Sequence, residues 1–247
     1  MSEKTFPVLP CLAALGGLAM GAAQLMILLL APEEERMGLI QKIFYLHLPS
    51  AWWGLFSFFL VFACSLLYLR KRDLFWDNLS EAAAEVGLVL AGLALLTGSL
   101  WARVSWNTWW TWDPRLTTTL IMWFIYAAFL LARRLDFTPE RRGLISAVLG
   151  IVAFLDVPLV FFSARLWPGS LHPQVVTNAP SGGLDPQMKL TLIFCLISFG
   201  LLWAALLGLR CRLGRLETLT EACLGACLEA RPQTASRLYP EEGEKNG

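Results

Sequence analysis

Six predominantly apolar runs dominate this chain, and each is about as long as a bilayer is thick. A helix needs about 20 apolar residues to cross a hydrocarbon core about 30 Å thick. Only 16% of the residues are charged, whereas a soluble domain averages about 25%. We therefore predict an all-α membrane protein with six transmembrane helices. Their approximate ranges are 8–30, 49–69, 82–101, 116–132, 144–163 and 189–209. The first run is too long for a signal-peptide core and lacks a convincing small-residue cleavage site, so we expect it to be retained.

The basic residues indicate how these spans are oriented. Most of the 20 Lys and Arg lie in the N-terminal segment, after the second, fourth and sixth spans, and in the C-terminal tail. By the positive-inside rule that side is cytoplasmic, and both termini lie there. We therefore predict a six-span domain over residues 1–215. Residues 216–247 are predicted to form a disordered cytoplasmic tail, which becomes polar and contains proline towards its end.

Three segments are predicted to be external. The first, about 31–48, carries apolar residues at helical spacing, which is typical of a helix lying in the membrane interface. The second, 102–117, contains the sequence Trp106-Asn-Thr-Trp109-Trp110-Thr-Trp112-Asp113-Pro-Arg115. The third, about 164–188, is rich in Gly and Pro. A membrane-interface belt would place Trp at both interfaces. Most of the 11 Trp fall on the external side, so we interpret the second segment as a ligand platform.

The chain has only two histidines, His47 and His172, and both are predicted to lie on the external side. Haem suits two imidazoles beside several indoles, because its iron accepts an axial His from each face. Aromatic stacking adds about 0.5–1.5 kcal/mol per pair. We predict a transient haem b with His47 and His172 as axial metal ligands. The remaining predicted haem-binding residues are Trp106, Trp109, Trp110, Trp112, Asp113 and Arg115.

Several of these residues have simpler explanations. An external His can be a solvated loop residue, and Asp113-Pro-Arg115 can be a plain helix start. Arg115 could pair with a haem propionate, while Asp113 could hold Arg115 or cap the fourth span. Asp156 lies inside the fifth span, followed by Pro158. It is either a functional intramembrane acid or a partner for backbone groups freed by the proline.

Other kinds of chemistry are not supported by the sequence. No Cys-x-x-Cys-His is present for covalent haem attachment, and none of the six Cys lies in a predicted external loop, which argues against a disulfide framework. A phosphate-binding Gly-x-x-x-x-Gly-Lys-Ser/Thr motif is also missing, so any ATP use belongs to a partner. The net charge of +1 gives no reason to expect nucleic-acid binding. No catalytic residue can be named.

The Trp-rich segment resembles the "WWD" signature of haem-handling proteins in cytochrome c biogenesis. Together with Tyr45-Leu-His47-x-Pro49-x-Ala51 and Leu171-His172, it resembles specifically the haem exporter protein C (CcmC) family. The resemblance covers roughly residues 36–210.

The resemblance implies a multi-pass protein of the bacterial inner membrane that holds haem on the periplasmic face. We expect a haem delivery and transport protein rather than an enzyme, although it could promote the haem–chaperone bond without a catalytic residue. His47 and His172 would be the axial ligands. The Trp segment would bind haem and dock a membrane-anchored haem chaperone, which becomes covalently linked to haem. An ABC-type ATPase, a second membrane subunit and a small single-span subunit would complete the complex, surrounded by membrane lipids. The resemblance assigns no role to Asp156.

Three other functions remain possible from the residues alone. The protein could be a channel through which haem crosses the membrane. It could be a bis-His electron-transfer membrane cytochrome, although such proteins usually place their His pairs within facing spans. It could also be a structural subunit whose Trp residues form a partner interface.

Overall fold

The computed structural model describes residues 8–33, 37–167 and 184–238. Within these ranges every regular element is helical. Helix α1 runs into a π-helical turn, Met26–Leu30, and a 3-10 turn, Leu39–Ile43, leads into α2. The helices are α1 Val8–Leu25, α2 Phe44–Lys71, α3 Leu74–Ser105, α4 Pro114–Ala132, α5 Pro139–Ala153, α6 Asp156–Leu166 and α7 Pro186–Leu238.

Six helical stretches in the described part of the chain are long and apolar enough to cross a membrane, which confirms the predicted all-α membrane fold. Helices α5 and α6 together make the fifth stretch. The six stretches are Val8–Leu30, Leu39–Lys71, Leu74–Ser105, Pro114–Ala132, Pro139–Ser163 and Pro186–Gly225.

Small residues allow two helix pairs to approach closely. A Cβ placed on Gly54 of α2 would lie 3.2 Å from the backbone nitrogen of Ala91 on α3. A Cβ placed on Gly16 of α1 would lie 3.2 Å from the backbone nitrogen of Leu202 on α7. Lipid tails are as apolar as the helices, so helix association in a membrane depends on such close packing. Glycine at these positions therefore holds α2 on α3 and α1 on α7.

Aromatic stacking fills the core between α2 and α4. The rings of Phe58 and Tyr126 are nearly parallel, with centroids 3.7 Å apart, and both side chains are fully buried. Met122 and Phe129 of α4 and Val157 of α6 belong to the same buried cluster. This cluster joins α2, α4 and α6 into one bundle.

A buried ion pair lies where α4 ends and α3 begins. The guanidinium of Arg133 donates to both carboxylate oxygens of Asp77, at 2.6 and 2.8 Å, and to Glu81 at 3.0 Å. Burial alone would lower the pKa of Arg133, but these carboxylates hold that pKa above its ordinary value. Paired forks of this kind are among the stronger hydrogen bonds in proteins.

A second ion pair at the same end includes α7. Arg210 of α7 donates two hydrogen bonds to Glu85 of α3, and Arg134 lies 3.6 Å from the same carboxylate. Asp77, Glu81 and Glu85 are each four residues apart and share one face of α3. We call this cluster, with Arg133 and Arg210, the arginine end of the bundle. It ties α3 to α4 and to α7.

The third span begins at Leu74, eight residues before the predicted start at 82. The carboxylate of Asp73 accepts a hydrogen bond from the backbone N–H of Phe75 at 2.9 Å, which caps the helix at that point. The first two turns of α3 contain acidic residues, so they do not belong to an uncharged apolar run and fall outside the predicted span. Because arginines neutralise these acids, the helix can extend through them.

Two other segments differ from the sequence prediction. Residues 39–48, predicted as part of a separate interfacial helix, form the 3-10 turn and the first residues of α2. Residues 216–238, predicted to be disordered, continue α7 as a helix. Exposed leucines recur along this extension at positions 216, 219 and 224, and leucine is a strong helix former.

Replacing Arg133 by Ala should destabilise the protein much more than replacing its neighbour Arg134. The Arg133 side chain is 1% exposed and that of Arg134 is 67% exposed. Loss of Arg133 leaves Asp77 buried without its counter-ion, which costs about 3–5 kcal/mol. Loss of an exposed pair costs about 0–1 kcal/mol. Thermal unfolding of the purified variants in detergent measures the difference, and equal losses would contradict this account of the arginine end.

Candidate functional site

The first turn of α2, the last turns of α3 and the segment between α3 and α4 meet at the end opposite the arginine end. We call residues 106–113 the Trp segment and this end of the bundle the Trp end. Helices α2 and α3 are consecutive and antiparallel, so the beginning of α2 lies beside the end of α3. The start of α7 also lies here, because Met188 and Leu192 pack with Phe44 and Tyr45.

His47 lies in the first turn of α2, and its ring contacts α3. Its Nδ1 is 3.0 Å from the carbonyl oxygen of Ala94 and 3.1 Å from the hydroxyl oxygen of Thr97. The indole of Trp101 meets the imidazole edge to face, with centroids 6.0 Å apart and planes at 83°. The ring is therefore held on two sides by residues of one helix.

The backbone of the Trp segment is held by polar side chains of α3. Arg103 donates to both the carbonyl and the side-chain oxygen of Asn107, each at 2.8 Å. Asn107 has a φ of 55°, a left-handed conformation that asparagine tolerates better than most residues. Ser99 donates to the carbonyl of Trp109 at 2.8 Å. These contacts fold the segment back against the last turns of α3.

Two indoles of the Trp segment face outwards. Trp109 is 57% exposed and Trp112 is 77% exposed, which is unusual for such large side chains. The guanidinium carbon of Arg103 lies 5.8 Å from the ring centroid of Trp109, within cation–π range. Trp110 meets Trp112 edge to face at 6.0 Å, and its buried indole N–H has no acceptor among the described residues. The segment thus offers flat apolar surface and the indole N–H of Trp110, which is unpartnered within the described part of the chain.

Asp113 ends the Trp segment and caps α4. Its carboxylate accepts a hydrogen bond from the backbone N–H of Arg115 at 2.9 Å, and Pro114 occupies the first helical position. The guanidinium of Arg115 donates to the carbonyl of Phe161 on α6 at 3.1 Å. The structure therefore gives Asp113 the capping role, one of its two predicted roles, and places the end of α6 at the Trp end.

Among the predicted site residues, the structure brings His47, Trp106, Trp109, Trp110, Trp112, Asp113 and Arg115 to the Trp end. His172 lies outside the described residues. The chain on either side of it, at Trp167 and Leu184, belongs to helix ends that are both at the Trp end.

Sequence reasoning missed two residues whose side chains contact His47, namely Thr97 and Trp101. Both lie in the third apolar run, where nothing in the local pattern distinguishes them from lipid-facing or core positions. Their spacing of four residues puts them on one face of α3. Only the register of α2 against α3 reveals that this face meets the histidine.

Asp156 is the first residue of α6, directly after the helix breaks at Phe154 and Leu155. Pro158 has no N–H to bond the carbonyl of Phe154, which explains the break. One carboxylate oxygen of Asp156 is buried and accepts no hydrogen bond from any described residue, and the buried hydroxyl of Tyr126 is likewise unpartnered within those ranges. Neither predicted role for Asp156 is tested by these contacts.

The amino-acid sequence of this chain is similar to those of known proteins. The sequence profile of the family described as Heme exporter protein C matches residues 1–222. The Heme exporter protein C of Bradyrhizobium diazoefficiens is 35% identical over 177 residues, 72% of this chain and 67% of the relative. The protein of the same name from Paracoccus denitrificans is 31% identical over 184 residues, 74% and 76% of the two chains. The Escherichia coli K12 protein, also of that name, is 32% identical over 186 residues, 74% and 73%.

Replacing Asp113 by Ala should loosen the junction between the Trp segment and α4. Removing a helix cap costs about 0.5–2 kcal/mol, and the amides of the first turn of α4 should exchange faster with solvent. Asp113→Asn keeps a capping oxygen and should exchange like the wild type. Hydrogen exchange of the peptide spanning residues 113–118, followed by mass spectrometry, makes the comparison. Identical exchange in all three proteins would contradict the capping role.

Proposed function

This chain belongs to the heme exporter protein C family of haem delivery in cytochrome c biogenesis, and we propose that it binds haem at the outer face of the bacterial inner membrane. His47 and His172 are the axial ligands, and the Trp segment is the platform. The cargo, haem b, is then delivered to the haem chaperone of c-type cytochrome maturation. The family match confirms the resemblance to the haem exporter protein C family, whereas the ligands and the chaperone belong to the proposal.

One observation carries the proposal most directly, namely that His47 and the exposed indoles share one end of the bundle. The donor set fits an iron porphyrin, since an imidazole supplies a nitrogen ligand, indoles supply flat apolar surface and Arg115 supplies a cation for a propionate. His172 is joined on both sides to helix ends at this same end. It is therefore within the part of the chain that can supply the second ligand.

The charges support the proposed orientation. Basic residues follow α2 and α4 and continue along α7 beyond the arginine end, so this end faces the cytoplasm by the positive-inside rule. The Trp end then faces the periplasm, and both termini lie in the cytoplasm. The protein crosses the membrane several times, and the lipids around it are those of the inner membrane.

Delivery requires a site that holds haem and also releases it. Exposure of Trp109 and Trp112 leaves indole surface that a docking protein can cover. We propose that the chaperone binds over these rings while haem is held between them and the histidines. Export of the loaded chaperone belongs to an ABC-type complex with an ATPase, a second membrane subunit and a small single-span subunit. This chain is a transport and delivery protein in that complex.

Replacing either histidine by Ala should reduce the haem retained by the purified protein and change its visible spectrum. The wild type, purified with the chaperone co-expressed, should give a six-coordinate low-spin haem spectrum because both axial positions are filled by imidazole. His47→Ala and His172→Ala should each lose or alter that spectrum. Full occupancy with an unchanged spectrum in both variants would refute the ligand assignment. Reduction of the bound haem by quinol would instead favour an electron-transfer cytochrome.

Replacing Trp110 by Ala should weaken haem retention and chaperone binding together, because one surface serves both. Trp76, at the arginine end, provides a matched control, and Trp76→Ala should leave both properties unchanged. Co-purification of the chaperone, measured alongside haem absorbance, gives the two readouts. Loss of haem with normal chaperone binding would show that haem and the chaperone bind to different surfaces, which would contradict the proposal that one surface serves both.

A further inference from the structure

The face of α3 that meets His47 consists of four residues at positions 94, 97, 98 and 101. These positions follow the spacing i, i+3, i+4 and i+7, which places them in one stripe along a helix. Each contributes something different to the imidazole. Ala94 contributes a backbone carbonyl, Thr97 a hydroxyl, Gly98 the absence of a side chain and Trp101 an aromatic wall.

The hydrogen bonds at Nδ1 determine which nitrogen carries the proton. A carbonyl oxygen can only accept, so the 3.0 Å contact between Nδ1 and the Ala94 carbonyl requires a proton on Nδ1. The hydroxyl of Thr97 donates to the carbonyl of Leu93 at 2.7 Å. Its oxygen can then accept from Nδ1 at 3.1 Å. Both neighbours therefore favour the same tautomer, with the lone pair on Nε2.

Gly98 provides the space that the ring occupies. A Cβ on Gly98 would lie 3.2 Å from Cε1 of His47 and 3.6 Å from Nδ1. The first distance is tighter than normal packing, so a methyl group there would push the ring away from its two acceptors. Trp101 closes another side of the ring. The imidazole is thus restricted in rotation as well as in tautomer.

We infer that Thr97 and Gly98 are positioning residues, which fix the tautomer and the orientation of His47 so that Nε2 is the atom presented to haem. This inference rests on the proposed function and deepens it. A histidine that ligates a metal commonly donates its other ring N–H to an oxygen, which orients the ring and raises the basicity of the ligating nitrogen. The stripe on α3 is such an outer shell, supplied by a helix that contributes none of the proposed ligands.

The tautomer can be measured in the protein without haem. The chain has only two histidines, so ¹⁵N-histidine labelling of the full-length His172→Gln variant leaves His47 as the single labelled ring. In lipid nanodiscs at mildly alkaline pH, NMR should give a protonated, pyrrole-type Nδ1 and an unprotonated, pyridine-type Nε2. A proton on Nε2 would overturn the inference, whatever the haem experiments give.

The effect on haem is tested with Thr97→Val, which replaces the hydroxyl by a methyl group of similar size. Haem should dissociate at least about tenfold faster, the usual effect of removing an outer-shell partner. The haem reduction potential should become more positive, because a less basic imidazole stabilises the oxidised iron less. Gly98→Ala should also accelerate dissociation, and Thr97→Ser should restore wild-type behaviour.

Thr191→Val is the matched control for these variants. Thr191 is a buried threonine of α7 whose hydroxyl also bonds the carbonyl four residues earlier, at 2.9 Å. It should change neither the dissociation rate nor the potential. Wild-type values in both Thr97→Val and Gly98→Ala would refute the positioning role. If His47→Ala also failed to accelerate haem loss, the proposed ligand itself would be wrong, an outcome distinct from the tautomer result.

Discussion

The close packing of α2 on α3 is the contact on which the rest of the structure depends. It rests on Gly54, which lets the backbone of α2 approach Ala91. Because the two helices are antiparallel and consecutive, the start of α2 lies beside the end of α3, and their register places His47 against Thr97. The acidic first turns of α3, at the opposite end, face α4 and α7. A shift along the α2–α3 interface would separate His47 from Thr97.

The ion pairs at the arginine end neutralise carboxylates that lie in an apolar helix. Carboxylates within an apolar helix are costly unless they are paired, and α3 carries three of them on one face. Arg133 and Arg210 neutralise that face from two different helices. The same pairs hold the start of α3, the end of α4 and the middle of α7 together. In the proposed orientation, the ion pairs fix the helices at the cytoplasmic end, and the opposite, periplasmic end binds haem.

Much of the fold could be predicted from the sequence, because span length and hydrophobicity are local properties. The start of α3 could not, since it depends on arginines that are distant in the chain. The Trp segment and His47 stood out because tryptophan clusters and lone histidines are rare in apolar chains. Thr97 and Gly98 could not be identified from the sequence, because threonine and glycine are common in membrane helices. Only the register between two helices gives them a role.

The proposed haem site depends on axial ligation by both histidines of this chain, His47 and His172. The most direct test is pulsed electron paramagnetic resonance of the haem-loaded protein, labelled with ¹⁵N only in histidine. Bis-His ligation predicts strong hyperfine couplings from two axial ¹⁵N nuclei, with the porphyrin nitrogens remaining ¹⁴N. A single axial ¹⁵N coupling, or none, would contradict the account.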